Sequence, residues 1–294
     1  MANNMRKGIT PWLAYCTPRP DAPIRLFCFP YAGGGAAFYR NWSSELAPEV
    51  DVCPVQLPGR ETRMREPAYE ELGPLVEQAS TALLPYLDRP YCFLGYSMGT
   101  LIAFELARHL DRHFQTRPSH LIACAFGAPH LPHISRLRYD LPEDEFIYEL
   151  GKLEGTPQEV IECRELLDLV LPTIRADCRI CDRYKFLKGE LLPFPISAFG
   201  GIDDPQAGQE LMQGWGDMTN STFSLRMFPG RHFFIHESRR QFMSALESVL
   251  MGHVIVNWTV PSSPRYSGGF LARRSIDNSM AKSIHFSIKS FKRA

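Results

Sequence analysis

The sequence predicts an α/β fold: a mostly parallel central sheet flanked by helices, with a helical lid insertion. Three observations predict it. Six short β-branched and aromatic runs recur along the chain, each closed by Gly or Pro, and they are nearly continuously apolar, as strands buried on both faces are. Amphipathic helical patterns lie between them, and repeated strand–helix–strand alternation implies parallel pairing with helices on both sides. One region, 141–187, breaks the alternation with two or more helical patterns and no strand. Helices inserted on the C-terminal side of a sheet read as a lid.

The first run, "IRLFCFPYAGGG", places Pro30, Tyr31, Ala32 and three glycines directly after a strand, where backbone must turn closely into a helix. The glycines do not end in G-K-[ST], so a phosphate-cradling loop is not the reading adopted. The second run, "VDVCPVQLPGRETRMRE", carries Arg60, Arg63 and Arg65 into a loop expected at the same rim. "YEELGPLVEQASTALLPYL" then sets Leu72, Leu75, Val76 and Ala79 on one helical face.

The third run leads into "GYSMGTLIAFELARHL". Gly95-Tyr96-Ser97-Met98-Gly99 is a G-x-S-x-G sequence where a buried strand meets a helix, the context of a nucleophile elbow. There the serine sits in a strained turn, and side chains two residues to either side would collide. A serine hydroxyl needs a base, and the base an orienting carboxylate, in the chain order Ser, Asp or Glu, His. The fourth run, "LIACAFGAP", is followed by His130 and His133, read as ordinary loop residues with lining of the mouth as the alternative.

Within the lid, Pro142 before Glu143, Asp144 and Glu145 suits a helix start, and Thr156 with Pro157 reads as an N-cap and first-residue pair. Its apolar residues, among them Phe146, Leu150, Leu153, Leu167, Leu171 and Ile174, are either core or the walls of an apolar chamber over Ser97. Cys178 and Cys181 form a lone C-x-x-C, read as structural.

The fifth run, "FPISAFGG", enters Asp203-Asp204-Pro205, and the sixth, "FSLRMFPG", enters Arg231-His232-Phe233. Both ends face the same side as Ser97. His232 is the base, while His236 falls where a helix begins. Asp203 and Asp204 compete for the acid. Two N–H donors for a developing oxyanion are assigned to Met98, after the nucleophile, and Ala32, in the Gly-rich loop. The domain is placed at 1–250, and 251–294, with seven Lys or Arg against one Asp, reads as a poorly ordered basic tail.

Lys plus Arg equals Asp plus Glu at 32 each, which gives no reason to expect nucleic acid or an anionic membrane as partner. The first residues lack the apolar core of a secretory signal and no stretch approaches a membrane span. Eight cysteines, several inside strand-like runs, suit a reducing compartment, so a cytoplasmic protein is expected.

Taken in order, "LFCFPYAGGGAAFYRNW", "VQLPGRETRMREP", "FLGYSMGTLIAFELA", "LEGTPQEV", "LPTIRAD", "GGIDDP" and "FPGRHFFI" resemble the type II thioesterases that accompany polyketide and nonribosomal peptide synthetases, in the α/β-hydrolase superfamily. The resemblance covers about Leu26 to Leu250. It implies an α/β-hydrolase fold and a nucleophile, acid and base at Ser97, Asp204 and His232. Asp204 is favoured over Asp203 because the family often writes its acid directly before Pro, as here with Pro205, and ahead of a Trp, as here with Trp215. It also implies hydrolysis of acyl groups from the phosphopantetheine thiol of acyl or peptidyl carrier proteins through an acyl-serine, a chemistry that requires no metal or bound cofactor; a monomer is the default expectation. Against a usually acidic carrier, the Arg60, Arg63 and Arg65 loop is a candidate docking face. One departure is Arg231, where the family usually has glycine before its histidine. The alternatives are a carboxylesterase or lipase with the same triad, and a non-catalytic carrier-binding protein that kept the fold.

Overall fold

The computed structural model describes residues 10–132 and 137–259, with side chains described to Val254. Six strands, β1 (Ile24–Phe29), β2 (Val50–Pro54), β3 (Tyr91–Tyr96), β4 (His120–Cys124), β5 (Ile196–Gly201) and β6 (Phe223–Phe228), form one sheet in the order β2-β1-β3-β4-β5-β6. Every pairing is parallel; Leu26 of β1, for example, lies opposite Val52 on one side and Cys92 on the other. Strands β1 to β5 are buried throughout, as their continuous apolar runs require. β6 differs. It is an edge strand with Ser224 and Arg226 exposed between partly buried Phe223, Leu225 and Met227, so the reading of six strands buried on both faces fails there. One face of β6 is left to solvent, whereas β2, the other edge strand, is covered on both.

The helices are α1 (Trp42–Glu45), α2 (Leu72–Leu83), α3 (Met98–Phe114), α4 (Glu143–Gly151), α5 (Gln158–Glu162), α6 (Arg164–Arg183), α7 (Gln209–Gln213), α8 (Phe234–Glu237) and α9 (Arg239–Thr259). Alternate strand residues feed two cores. Phe27, Phe29 and Phe93 pack on Leu75, Val76, Leu101 and Leu106 of α2 and α3, while Leu26, Leu94 and Ile122 share the opposite face with Trp42, Phe234, Phe242 and Leu246. A third cluster of Leu137, Phe146, Leu150, Leu167, Leu171, Ile174 and Cys178 is the lid's own.

Local chemistry accounts for the helix ends. α3 stops at Gln115, which adopts the left-handed conformation at φ 52°, with Arg112 and His113 in the last turn facing the negative end of the dipole. α4 opens after Pro142 with Glu143, Asp144 and Glu145 in its first turn. α5 begins at Gln158 with Pro157 as its N-cap, one residue later than the Thr156–Pro157 reading places it. α9 runs to Thr259, nine residues past the boundary drawn at 250; its apolar residues are spread around the helix, so the sequence shows no amphipathic stripe there. The basic tail beyond 259 and His133 lie outside the described residues. Among the described residues no helix is long and apolar enough to cross a membrane.

At the end of the sheet away from Ser97, His120 begins β4 and is 7% exposed. Its Nδ1 lies 2.8 Å from His253 Nε2, and its Nε2 lies 2.9 Å from Ser197 Oγ, itself 2.8 Å from Ser224 Oγ. Burial, aided by the neighbouring His253, pushes the His120 imidazole down to about 3. A group that stays neutral in the fold but charges near 6.5 when unfolded contributes stability that is complete above about pH 6.5. That contribution is lost as the pH falls toward 3. We expect the protein to be about 2 kcal/mol less stable at pH 5 than at pH 7 on this account. Urea unfolding at both pH values checks it: a His120→Gln variant with the same pH loss as wild type would assign the loss to other groups.

Candidate active site

The chain runs from β1 outward to β2, then returns to the other side of β1 for β3, so strand order reverses between β1 and β3. In open α/β sheets the crevice beyond the strand ends at such a switch point is where ligands bind. The two loops that flank it carry Ala32 and Ser97.

Ser97 is the residue between β3 and α3 and holds φ 52°, ψ −124°, a conformation side chains rarely adopt. The two glycines make the turn possible. A Cβ on Gly95 would overlap the backbone of Gly99 and Thr100, and one on Gly99 would overlap the carbonyl of Phe29. Ser97 N–H donates to Cys124 C=O at 2.8 Å, and the Thr100 hydroxyl donates to Gly95 C=O at 2.7 Å and Cys124 C=O at 2.8 Å. These bonds fasten the elbow to β4 and leave the Ser97 hydroxyl at the crevice.

His232 Nε2 lies 3.0 Å from Ser97 Oγ, and its Nδ1 lies 2.8 Å from Asp204 Oδ2. The Asp204 side chain is fully buried and its Oδ1 accepts the Gln206 N–H at 2.9 Å, so the carboxylate is fixed on both oxygens. The Tyr96 hydroxyl donates to the His232 carbonyl at 2.7 Å and holds the histidine loop from behind. Asp203 is exposed, with its N–H bonded to Gly230 C=O at 3.0 Å, and takes no part in this chain of contacts. The structure therefore joins Ser97, His232 and Asp204 and leaves Asp203 outside. His236 sits in α8 against Phe38 and Phe233, as its helix-start reading expects. His130 lies 3.4 Å from Asp217 in a neighbouring groove.

Met98 is the first residue of α3 and fully buried, so its N–H starts the helix beside Ser97. Ala32 is the second residue of a turn closed by Gly34 N–H to Tyr31 C=O at 2.9 Å, with Gly33 third at φ +78°. That is the type II pattern, in which the second residue's N–H takes no part in the closing bond.

A cavity of about 70 Å³ opens beside Ser97 and His232, lined by Tyr31, Ala32, Phe126, Leu137, Leu150, Leu153, Ile174, Cys178, Cys181, Gln206 and Phe233 among others. The lid's apolar residues therefore divide: Leu150, Leu153 and Ile174 reach the chamber, Phe146, Leu167 and Leu171 are lid core, and Leu166 is exposed. Cys178 and Cys181, read from sequence as structural, also line the chamber, with burial pushing both thiols up and keeping them protonated. A wider groove of about 490 Å³ between α2, α3 and the end of α6 contains none of the triad residues and mixes Glu70, Glu71, Glu77 and Glu105 with Arg108, Arg112, Arg183 and Lys185.

The arginine loop is a correction. Arg60 is 6% exposed and pairs with Asp177, and Arg63 is 8% exposed, lies over the Trp12 ring at 4.5 Å and pairs with Glu66. Of the three arginines, Arg65 is exposed and free to meet a partner's surface. Arg231 lies 3.7 Å from Glu154 on the lid loop, with both side chains about half exposed. Asp177, in "LPTIRAD", was given no role by sequence reasoning; the motif itself was the available signal.

Residues 24–250 match the thioesterase domain family. Linear gramicidin dehydrogenase LgrE of Brevibacillus parabrevis is 40% identical over 247 residues, covering 83% of this chain and 94% of that protein. RedJ, a thioesterase from the prodiginine biosynthetic pathway of Streptomyces coelicolor, superposes with a TM-score of 0.73 at 37% identity, over 78% of this chain and 87% of RedJ. BorB, a type II thioesterase from the borrelidin biosynthetic cluster, superposes with a TM-score of 0.74 at 34% identity, over 81% and 96%. The first carries a dehydrogenase's name, whereas the matched family and both solved structures are thioesterases. With its parallel sheet, its elbow at Ser97 and a family match over most of its length, the chain belongs to the thioesterase family of the α/β-hydrolase fold.

Proposed function

We propose that this thioesterase hydrolyses acyl groups from the phosphopantetheine thiol of acyl or peptidyl carrier proteins, with Ser97 as nucleophile, His232 as base and Asp204 as acid. The observation that carries the assignment is the continuous hydrogen-bonded chain from Ser97 Oγ through His232 to Asp204 at the carboxyl ends of β3, β5 and β6. Neutral His232 accepts the serine proton at Nε2 while its Nδ1–H donates to Asp204, which fixes the tautomer. Ser97 Oγ attacks the thioester carbonyl, and the N–H groups of Met98 and Ala32 receive the oxyanion. The C–S bond breaks, and the thiolate takes the proton from His232. Water, deprotonated at the same nitrogen, attacks the acyl-serine, and the carboxylic acid leaves with Ser97 restored.

The domain spans about 1–250 with its lid at 141–187 and extends through α9. The monomer is the working unit of this reading. The eight cysteines, all free thiols, support a cytoplasmic setting. The biosynthetic origins of RedJ and BorB support a carrier-bound substrate.

The test is hydrolysis of an acyl-pantetheine and its matched oxygen ester. We expect the thioester to have at least about tenfold higher kcat/KM, because a thiolate departs with little proton assistance. Equal rates, or faster oxygen-ester cleavage, would favour a carboxylesterase.

A further inference from the structure

The loop that presents Ala32 is held from outside by the lid. Gly33 N–H donates to Asp177 Oδ2 of α6 at 2.7 Å. The same carboxylate receives both arms of Arg60, Nη1 to Oδ2 at 2.6 Å and Nη2 to Oδ1 at 2.9 Å. Arg60 also donates from Nη1 to Gly34 C=O at 3.2 Å and from Nε to Pro58 C=O at 3.1 Å. One turn before Asp177, the Thr173 hydroxyl donates to Gly59 C=O at 2.7 Å, and Ile174 fills the space that a Cβ on Gly33 would enter, 2.8 Å away. Asp177 and Arg60 are 2% and 6% exposed and 117 residues apart in the chain.

A buried ion pair is a poor device for stability, since apolar residues of similar volume commonly serve as well. Its position suggests another purpose. Gly33 N–H belongs to the Ala32–Gly33 peptide, so fixing it sets the plane of that peptide and with it the turn that aims the Ala32 N–H. A bare carboxylate one residue from an oxyanion donor would oppose the negative charge that develops there. The two-armed contact with Arg60 cancels that charge while the hydrogen bond to Gly33 remains.

We propose that Asp177 and Arg60 are positioning residues for the oxyanion site: Asp177 sets the Ala32 donor through Gly33, and Arg60 makes that anchor electrically neutral. The inference rests on the acyl-transfer reading above. Neither residue lines the chamber beside Ser97, and neither is bonded to the His232 ring.

The experiment measures kcat, KM and the pH profile of kcat/KM on an acyl-pantetheine thioester for wild type, Asp177→Asn, Arg60→Lys and the double variant Arg60→Met/Asp177→Leu. It also measures the affinity of a trifluoromethyl ketone analogue of that substrate, whose tetrahedral adduct with Ser97 needs both N–H donors. In Asp177→Asn the amide must turn its NH2 toward either Gly33 N–H or Arg60, so one of the two contacts is lost; we expect kcat to fall about 30- to 100-fold, KM to stay within about twofold and the apparent pKa of the profile to hold. Ketone affinity should fall by the same factor as kcat. Arg60→Lys keeps the charge without the two-armed geometry, so its kcat should fall less than that of Asp177→Asn. The double variant removes both buried charges, so its thermal stability should return toward wild type while kcat stays at least about 30-fold low. If the double variant turns over within threefold of wild type, or if Asp177→Asn raises KM as much as it lowers kcat, the inference is overturned. A wild-type protein lacking Ser97-dependent turnover would instead overturn the acyl-transfer reading and this inference with it.

Discussion

Ser97→Ala and His232→Ala each lower kcat by about 10⁴- to 10⁶-fold, and the double variant loses little more than either single one. The nucleophile and its base act as a unit: without Nε2 at 3.0 Å the hydroxyl keeps its proton, and without the hydroxyl the imidazole has nothing to deprotonate. The residual rate is what the oxyanion donors and substrate binding supply by themselves. Steady-state kinetics on the three variants, with thermal unfolding as a control for intact folding, checks this. Losses that multiply would mean that the two side chains act in separate steps and that the grouping is wrong.

The second large effect separates neighbouring carboxylates. Asp204→Asn is expected to lower kcat by about 10⁴-fold, because an amide facing His232 Nδ1 favours the tautomer that has no free Nε2 lone pair for the serine proton. Asp203→Asn changes kcat by less than about threefold, since that side chain is exposed and lies outside the chain of contacts. The pair is assayed side by side under one set of conditions. A larger defect at position 203 than at 204 would reassign the acid.

Much of this was legible in the sequence because the signals are local. A buried strand is a continuous apolar run, an elbow needs glycines at two fixed offsets, and a helix start carries acids in its first turn; each is contained within a few residues. The positions of Ser97, His232 and the two aspartates follow from the glycine-boxed elbow, the chain order and the strand ends, but the choice between Asp203 and Asp204 needed the family resemblance. Both leave the same strand, and it is the packing around Asp204 that buries its carboxylate against His232. The arginine loop was misread for a related reason. In sequence Arg60 and Arg63 look like solvated charge, but Arg60 is buried on an aspartate 117 residues away, and Arg63, besides its local partner Glu66, is covered by a tryptophan at position 12. Whether helices cover both faces of an edge strand, as they do at β2 and not at β6, is likewise a property of the assembled fold.

The placing of the lid between β4 and β5 has a consequence for synthesis. The 71 residues between Cys124 and Ile196 include the lid and, among the described residues, no strand of the sheet. At ordinary translation rates roughly 4 to 14 s pass between the emergence of β4 and that of β5. During that interval the nascent sheet ends at β4, whose apolar edge has no neighbour and is a template for pairing with another chain. Once β5 and β6 arrive, that edge is covered and the outermost strand is one that carries Ser224 and Arg226 to solvent. The aggregation hazard of this protein therefore belongs to its unfinished chain, and slowed translation between β4 and β5 is the condition that lengthens it.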